Sequence, residues 1–124
     1  MRVVIAGGRD FSDYGALNRA LESIEFPEEI IIISGGAKGA DSLGERYARD
    51  NKLKCERYPA DWGTYGKAAG PIRNKRMCNV CDVIIAFWDG ISPGTRNMIG
   101  QGRDAGKPTV VFNYGGLITK TYNI

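Results

Sequence analysis

Residues 30–41, IIIISGGAKGAD, join a run of four isoleucines to a glycine-rich loop. A β-branched run without alternation is typical of a strand that is covered on both faces. The same order of apolar run and glycine loop recurs at residues 3–10, VVIAGGRD, and at residues 83–95, VIIAFWDGISPGT. Strand, glycine loop and helix in succession build the anion sites of parallel α/β sheets, because glycine lets backbone N–H groups approach a phosphate closely. The three loops together therefore predict a phosphate-binding α/β fold.

Hydrophobic periodicity and turn residues extend this pattern along the chain. We expect strands at residues 3–6, 30–33, 54–58, 82–87 and 109–112, and helices that begin near residues 13, 41, 71 and 94. Residues 60–70 are predicted to be irregular, and residues 117–124 receive no assignment. The elements predict one domain over residues 1–124, a Rossmann-like three-layer α/β sandwich with a mostly parallel five-stranded sheet of order 3-2-1-4-5. The ligand is expected beyond the carboxyl ends of the strands, where the order reverses between the first and fourth.

Composition favours a small anionic ligand. Of 124 residues, 43% are hydrophobic and 25% charged, as in an ordinary globular domain. The net charge of +3 is mild, and basic residues alternate with acidic ones, whereas a long phosphate backbone favours a dense basic stripe.

The three cysteines and the absent signal peptide predict a reducing, cytoplasmic location. Cys78 and Cys81 form a CxxC, but the chain has no histidine, so we expect buried thiols and no metal site. No apolar run approaches the roughly 20 residues of a membrane span, so no membrane partner is expected.

The loop Gly7-Gly8-Arg9-Asp10 has two readings. It is either a tight turn with a surface ion pair or a phosphate-approach turn with Arg9 as a charged clamp. In the second reading Asp10 holds Arg9 or accepts a hydrogen bond from a ribose hydroxyl.

The loop at residues 34–41 matches neither G-x-G-x-x-G nor G-x-x-x-x-G-K-[ST], so it predicts neither a standard NAD site nor a P-loop. Its glycines either bind a ligand or only let the helix pack on the strand. Farther along, Trp62 is either a core residue or a ring that stacks on a base. Lys67 is a solvated or phosphate-binding side chain, and Arg73, beside Asn74, is expected to meet an anion at its helix start.

The loop after the fourth strand begins with Trp88 and Asp89 and runs into Ser92, Gly94 and Thr95. The hydroxyls and N–H groups at this helix start form either plain N-caps or a second anion cradle, and both readings can hold together.

Together these segments resemble the SLOG superfamily, specifically its small YspA-type, cpYpsA-related branch. The resemblance rests on residues 7–11, 34–41, 60–62, 66–74, 77–87, 94–95 and 98–99. It implies a Rossmann-like fold that binds nucleotides or nucleotide-derived signals, in a branch with many members in bacteria and their phages.

Two distant relatives define the alternatives. The Lonely Guy phosphoribohydrolases resemble the chain at residues 34–36, at Arg73 with Met77, and at Gly94-Thr95, but their G-T-x-E glutamate is Asn97 here. An amide cannot transfer the proton that a carboxylate does, so hydrolysis would need Asp41 or Asp89 as the catalytic group. DNA-processing protein A resembles the chain at residues 34–39, in a loop that contacts single-stranded DNA in that family.

We therefore expect a homo-oligomeric domain, a dimer or larger, that senses or sequesters a nucleoside phosphate or an ADP-ribose-like molecule, with no firm cofactor. N-glycoside hydrolysis of nucleoside monophosphates and single-stranded DNA binding are the alternatives, and whether the protein is an enzyme is left open. The predicted ligand-binding residues are Gly7, Gly8, Arg9, Asp10, Ser34, Gly35, Gly36, Lys38, Gly39, Asp41, Asp61, Trp62, Lys67, Arg73, Asn74, Trp88, Asp89, Ser92, Gly94 and Thr95.

Overall fold

The computed structural model describes residues 1–124, in which six strands form one sheet with helices on both faces. The strands are β1 (Arg2–Gly7), β2 (Ile31–Ser34), β3 (Cys55–Arg57), β4 (Val83–Phe87), β5 (Thr109–Phe112) and β6 (Ile118–Tyr122). The helices are α1 (Tyr14–Glu22), α2 (Ala40–Asp50), α3 (Trp62–Tyr65), α4 (Ala69–Val80) and α5 (Pro93–Asp104), with a 3-10 turn at Gly66–Ala68.

The sheet has the order β3-β2-β1-β4-β5-β6, and every pairing is parallel except that of β5 with β6. The predicted α/β class and the order of the first five strands are confirmed. The prediction of five strands is corrected to six, because residues 118–122 add an antiparallel strand at the edge.

β6 is reached by a tight turn that the Asn113 side chain holds. Its Oδ1 accepts hydrogen bonds from the backbone N–H groups of Gly115 and Leu117, both at 3.0 Å. Gly116 has φ of +82°, a conformation that favours glycine. The strand that follows is exposed along most of its length, so it lacks the apolar pattern by which the other strands were predicted.

The core lies on both faces of the sheet, as the apolar runs predict. On β1, Val3 and Ile5 pack under α1 and α2, whereas Val4 points to the opposite face, with Met77 of α4 and Met98 of α5. Alternate side chains of this one strand therefore belong to two core clusters, one on each face of the sheet. These clusters hold α1 and α2 on one face and α4 and α5 on the other.

The predicted start of α1 near residue 13 is confirmed, because the helix begins after Asp13, whose Oδ1 accepts from the Ala16 N–H at 2.9 Å, and it ends at Glu22. Two other predictions change. α4 begins at Ala69 instead of Pro71. Residues 60–70, predicted to be irregular, contain α3, the 3-10 turn and the start of α4.

Cys78 and Cys81 are buried free thiols at the end of α4. None of the helices combines the length and the apolarity that crossing a bilayer requires.

Candidate functional site

A cavity of about 650 Å³ lies at the carboxyl edge of the sheet, where the strand order reverses between β1 and β4. Its walls are the loop after β1, the start of α2, the α3–α4 segment and the first turns of α5. This is the edge at which open parallel sheets bind ligands, and the volume is that of an ordinary small-molecule site.

A second cavity, of about 320 Å³, adjoins the first between the loops that follow β2 and β3. The two cavities share four lining residues, Arg9, Ala37, Trp62 and Arg73. The first cavity is called the switch-point cavity below, and the second the loop cavity.

Most of the residues predicted from the sequence line one of these cavities. The switch-point cavity is lined by Gly7, Gly8, Arg9, Asp10, Asp41, Trp62, Lys67, Arg73, Asn74, Ser92, Gly94 and Thr95. The loop cavity adds Gly35, Gly36 and Lys38. Outside both lie Ser34, Gly39, Asp61, Trp88 and Asp89.

Ser34 and Gly39 hold the glycine loop in place. Ser34 is fully buried, and its Oγ donates to Glu45 Oε2 at 2.7 Å and accepts from the Gly36 N–H at 3.0 Å. Gly39 has φ of +77°, and a Cβ there would overlap the carbonyl oxygen of Gly8. The loops after β1 and β2 therefore cross at a distance that only glycine permits.

The other outlying residues shape neighbouring turns. Asp61 caps α3 by accepting from the Thr64 N–H at 3.1 Å. The Trp88 ring N–H donates to the Ser92 carbonyl at 3.1 Å, and the exposed Asp89 carboxylate accepts from two backbone N–H groups at 2.8 Å. These bonds to the backbone lower the pKa of Asp89. Both side chains brace the approach to α5 from outside the cavities.

Arg73 is a half-buried cation whose charge no carboxylate balances at short range. Its Nη1 donates to the Gly35 carbonyl at 2.6 Å and its Nε donates to Asn74 Oδ1 at 2.9 Å. No carboxylate oxygen lies within 4 Å of its guanidinium. Burial lowers the pKa of Arg73, an effect that the nearby charge of Asp41 opposes. Two of the five guanidinium N–H donors are used inside the protein, which leaves three for an anion.

Asp41 is the buried carboxylate of the switch-point cavity, with 7% of its surface exposed. It sits in the first turn of α2, and its Oδ2 accepts from the Ala37 N–H at 3.1 Å. Burial raises the pKa of Asp41, although this hydrogen bond and the positive charges of Arg73 and Arg9 oppose the rise. A carboxyl group with a raised pKa in a cavity can act as a general acid, and it can also contact a ligand.

Of the two contacts predicted for Asp10, the ion pair with Arg9 does not form, and the hydrogen bond from a ribose hydroxyl stays a prediction. The Asp10 Oδ1 accepts from the Tyr114 hydroxyl at 2.5 Å. This bond, together with burial, raises the pKa of Tyr114. The Arg9 side chain is consequently left exposed and without an acidic partner.

The start of α5 offers backbone donors to the cavity. Gly94 and Thr95 follow Pro93 in the first turn, and their N–H groups have no backbone acceptor within the chain. Such orphan donors at the positive end of a helix dipole suit a phosphate.

An amide network that the sequence analysis does not predict joins α4 to α5. Asn74, 6% exposed, donates from Nδ2 to the Gly94 carbonyl at 3.3 Å and to Asn97 Oδ1 at 3.1 Å. Gln101 Nε2 donates to the same Asn97 oxygen at 2.9 Å. Because the Asn97 oxygen already accepts two hydrogen bonds, the group that this cavity-lining amide can offer is its N–H.

The basic side chains at the two cavities form no ion pairs, whereas four of the eight arginines elsewhere in the chain do. Arg2 and Arg103, for example, pair with acidic side chains at 2.9 Å. The unpaired cations at the cavities are Arg9, Lys38, Lys67 and Arg73. Anionic ligands are what such a cluster can hold.

The fold is similar to that of two solved structures of DNA processing protein A. The Streptococcus pneumoniae protein superposes with a TM-score of 0.69 at 21% identity, over 89% of this chain and 49% of that one. The Helicobacter pylori protein, whose structure concerns its single-stranded DNA binding mode, gives a TM-score of 0.62 at 19% identity, over 90% of this chain and 64% of that one. The chain thus spans about half to two thirds of these proteins, and the likeness extends to the fold alone.

Sequence similarity is stronger toward a protein of this chain's own size. The chain is 35% identical over 119 residues to the Gene 61 protein of Mycobacterium phage D29, covering 90% of this chain and 95% of the phage protein. Residues 1–65 match the YAcAr family, described as YspA, cpYpsA-related SLOG. The predicted resemblance is confirmed, and the chain belongs to the YspA, cpYpsA-related SLOG family.

Proposed function

We propose that the protein binds a nucleotide or a nucleotide-derived signal in the switch-point cavity. The observation that carries the proposal is the half-buried Arg73 guanidinium, which has three free N–H donors and no carboxylate within 4 Å. A half-buried cation with no carboxylate at ion-pair distance is costly, and a bound phosphate would reduce that cost.

The phosphate would be held by Arg73 and by the free N–H groups of Gly94 and Thr95. Arg9, exposed at the rim, would add charge from the opposite side. The ring of Trp62 is 52% exposed on the cavity wall, so it is available to stack on a base.

Two methionines make part of the cavity wall apolar. Met77 and Met98 line the switch-point cavity, although both are almost fully buried. Asn97 stands beside them with an N–H free to donate to an acceptor on the base or sugar. A nucleotide matches this combination of apolar, amide and cationic surface.

Hydrolysis of an N-glycoside is the second candidate, and the raised pKa of the cavity-lining Asp41 carboxyl favours it. Asp41 would serve as the acid in place of the glutamate of the Lonely Guy phosphoribohydrolases. Asp89 is a weaker candidate, because it lies outside both cavities and its carboxylate is engaged by backbone N–H groups.

Binding of single-stranded DNA is the third candidate, supported by the single-stranded DNA binding mode of the similarly folded Helicobacter pylori protein and by the unpaired cations. It predicts a steep loss of affinity as salt rises, because each neutralised phosphate releases counterions. A mononucleotide would show a shallower dependence.

The test is thermal unfolding with AMP, GMP, ADP-ribose and a short oligothymidylate, followed by chromatography of each sample. A ligand that binds the folded state raises Tm by mass action. We expect a nucleotide to raise Tm for the wild type and for Arg103→Met, a charge-matched control remote from the cavities. Arg73→Met should lose the shift relative to its own ligand-free Tm.

Each result has one reading. Ligand recovered intact supports binding without turnover, and free base in the sample supports the hydrolase. A Tm shift with the oligonucleotide alone, abolished by added salt, would replace the nucleotide proposal with the DNA one. Equal shifts for Arg73→Met and the wild type would refute the role given to Arg73.

A further inference from the structure

The loop cavity differs from the switch-point cavity in its charge. Its lining includes three basic residues, Arg9, Lys38 and Arg73, and no acidic residue. The switch-point cavity contains basic residues too, but it also holds the carboxyl groups of Asp10 and Asp41. The smaller cavity is therefore the more strongly cationic of the two.

None of these three cations has a carboxylate within 4 Å. Lys38 is exposed on the glycine loop and makes no ion pair. Two acidic groups lie nearby: Asp41, whose charge acts on Arg73 and Arg9 from beyond ion-pair distance, and Glu45, which pairs with Arg57 at 3.3 Å and accepts from Ser34. Three cations with no ion-pair partner therefore line the loop cavity, and its positive charge exceeds what Asp41 alone can balance.

The backbone of the loop adds donors on the same side. The N–H of Lys38 has no backbone acceptor, and Gly36, with φ of +75°, turns the loop without a side chain in the way. A Cβ at Gly36 would come within 3.2 Å of the Arg57 guanidinium. Glycine at position 36 therefore permits a loop conformation that other residues rarely adopt.

The two cavities meet at the residues they share, with Arg9 and Arg73 between them and the Trp62 ring above both. A second phosphoryl group linked to a phosphate at Arg73 would reach the loop cavity by passing these shared side chains. An anion at the junction would be contacted by cations from both cavities.

We propose that the loop cavity is a second phosphoryl subsite, so that the ligand is a nucleotide with at least two linked phosphoryl groups. One phosphoryl group lies with its nucleoside in the switch-point cavity, and the next lies against Arg9 and Lys38. This inference rests on the proposed function and narrows its ligand class. A pyrophosphate-linked nucleotide and a short phosphodiester share the required chemistry.

The experiment is calorimetric titration with three probes: AMP, ADP-ribose and the 5′-phosphorylated diadenosine dinucleotide. ADP-ribose carries a pyrophosphate and the dinucleotide a phosphodiester, so their comparison separates the two sources of the second phosphoryl group. At least one is expected to bind the wild type tenfold or more tightly than AMP, about 1.4 kcal/mol.

Two substitutions address the loop cavity alone. Ala60 lines it without lining the switch-point cavity, so Ala60→Trp should fill it and weaken the tighter ligand about tenfold or more, with AMP affinity within twofold of wild type. Lys38→Met should weaken that ligand about fivefold relative to AMP, the size of an exposed charge contact of about 1 kcal/mol. Lys120→Met, on the distant β6, is the charge control and should change neither affinity.

AMP binding by Ala60→Trp also shows that the variant is folded. If AMP binds and neither doubly phosphorylated probe binds more tightly, this inference is wrong while the proposed function stands. Equal effects of Ala60→Trp on AMP and on the tighter ligand would also overturn it. Failure of all three probes to bind the wild type would refute the proposed function and this inference together.

Discussion

Replacing Asn74 with aspartate tests the amide network between α4 and α5 with almost no change in volume. Asn74 is nearly fully buried, and its Nδ2 donates to two oxygens, the Gly94 carbonyl and Asn97 Oδ1. Asn74→Asp turns this donor into an oxygen that faces both acceptors. Its other oxygen can still accept the hydrogen bond from Arg73 Nε.

The expected loss is about 2–3 kcal/mol of unfolding free energy at pH 7. Two hydrogen bonds of about 1 kcal/mol each disappear, and leaving the new, buried aspartate oxygen without a donor costs roughly 1–3 kcal/mol more. The new charge attracts Arg73, which returns about 1–2 kcal/mol for a hydrogen bond that becomes charge-assisted.

Urea unfolding measures this loss, and pH gives an independent check. Burial and the facing oxygens should raise the pKa of the new carboxyl. The variant is therefore most destabilised above that pKa and recovers as pH falls and the carboxyl regains a donor. Asn79→Asp, on the exposed face of the same helix, is the control and should cost under about 1 kcal/mol. If the two variants have the same stability at pH 7, the network does not fasten the helices as described.

Three further predictions concern the core and the cavities. Burial raises the pKa of Asp41, so ionisation of this carboxyl lowers the stability of the wild type as pH rises through that pKa. In urea unfolding, Asp41→Asn should therefore be about 1 kcal/mol more stable than the wild type at pH 7, but not at pH 3. Gly102→Ala should lose about 1–3 kcal/mol in the same assay, because its Cβ would overlap Ile84 and approach Thr109 Oγ1 to 2.7 Å. Trp62→Ala should leave the unfolding free energy within about 1 kcal/mol of wild type but weaken nucleotide binding by about 1–3 kcal/mol in calorimetry, since the ring is half-exposed.

Each of these predictions has a definite contrary result. Gly100→Ala lies on the same helix as Gly102 and meets only the flexible end of Arg103 at 3.7 Å, so it should stabilise by about 0.5–1 kcal/mol. If it costs as much as Gly102→Ala, the overlap of the Cβ with Ile84 and Thr109 does not explain the loss at position 102. An Asp41→Asn difference that is the same at both pH values, or full ligand affinity in Trp62→Ala, would contradict the other two.

The buried part of the fold could be predicted from the sequence because its strands are continuous apolar runs. β1, β2, β4 and β5 are each buried on both faces, so hydrophobicity alone marks them. β6 could not be found in this way, since it is mostly exposed and its pairing with β5 is fixed by the Asn113 turn. The helical start of α3 depends on a local cap at Asp61, a weaker signal than a hydrophobic period.

The glycine loops predicted where the cavities are, but not which side chains reach them. The sequence comparison identifies Asn97 only as the residue at the position of the Lonely Guy glutamate. Its contact with Asn74 depends on how α4 packs on α5. The one available clue was the spacing of Asn97 and Gln101, two amides one helical turn apart. Ser34 is predicted to bind the ligand because it lies beside the glycines, but its hydroxyl donates a hydrogen bond to Glu45 instead. The sequence does not indicate this contact.

The two sides of the switch-point cavity differ in how firmly they are attached to the core. Asn74 and Met77 of α4 are buried and tied to α5, whereas every residue from Asp61 to Ala68 is exposed. Local opening of such a segment costs less free energy than global unfolding, so its amides should exchange with solvent deuterium well before those of α5. The segment that carries Trp62 is therefore expected to open locally while the side that carries Arg73 stays folded. Bulky ligands would then be limited in their rate of entry by this short segment and not by the stability of the domain.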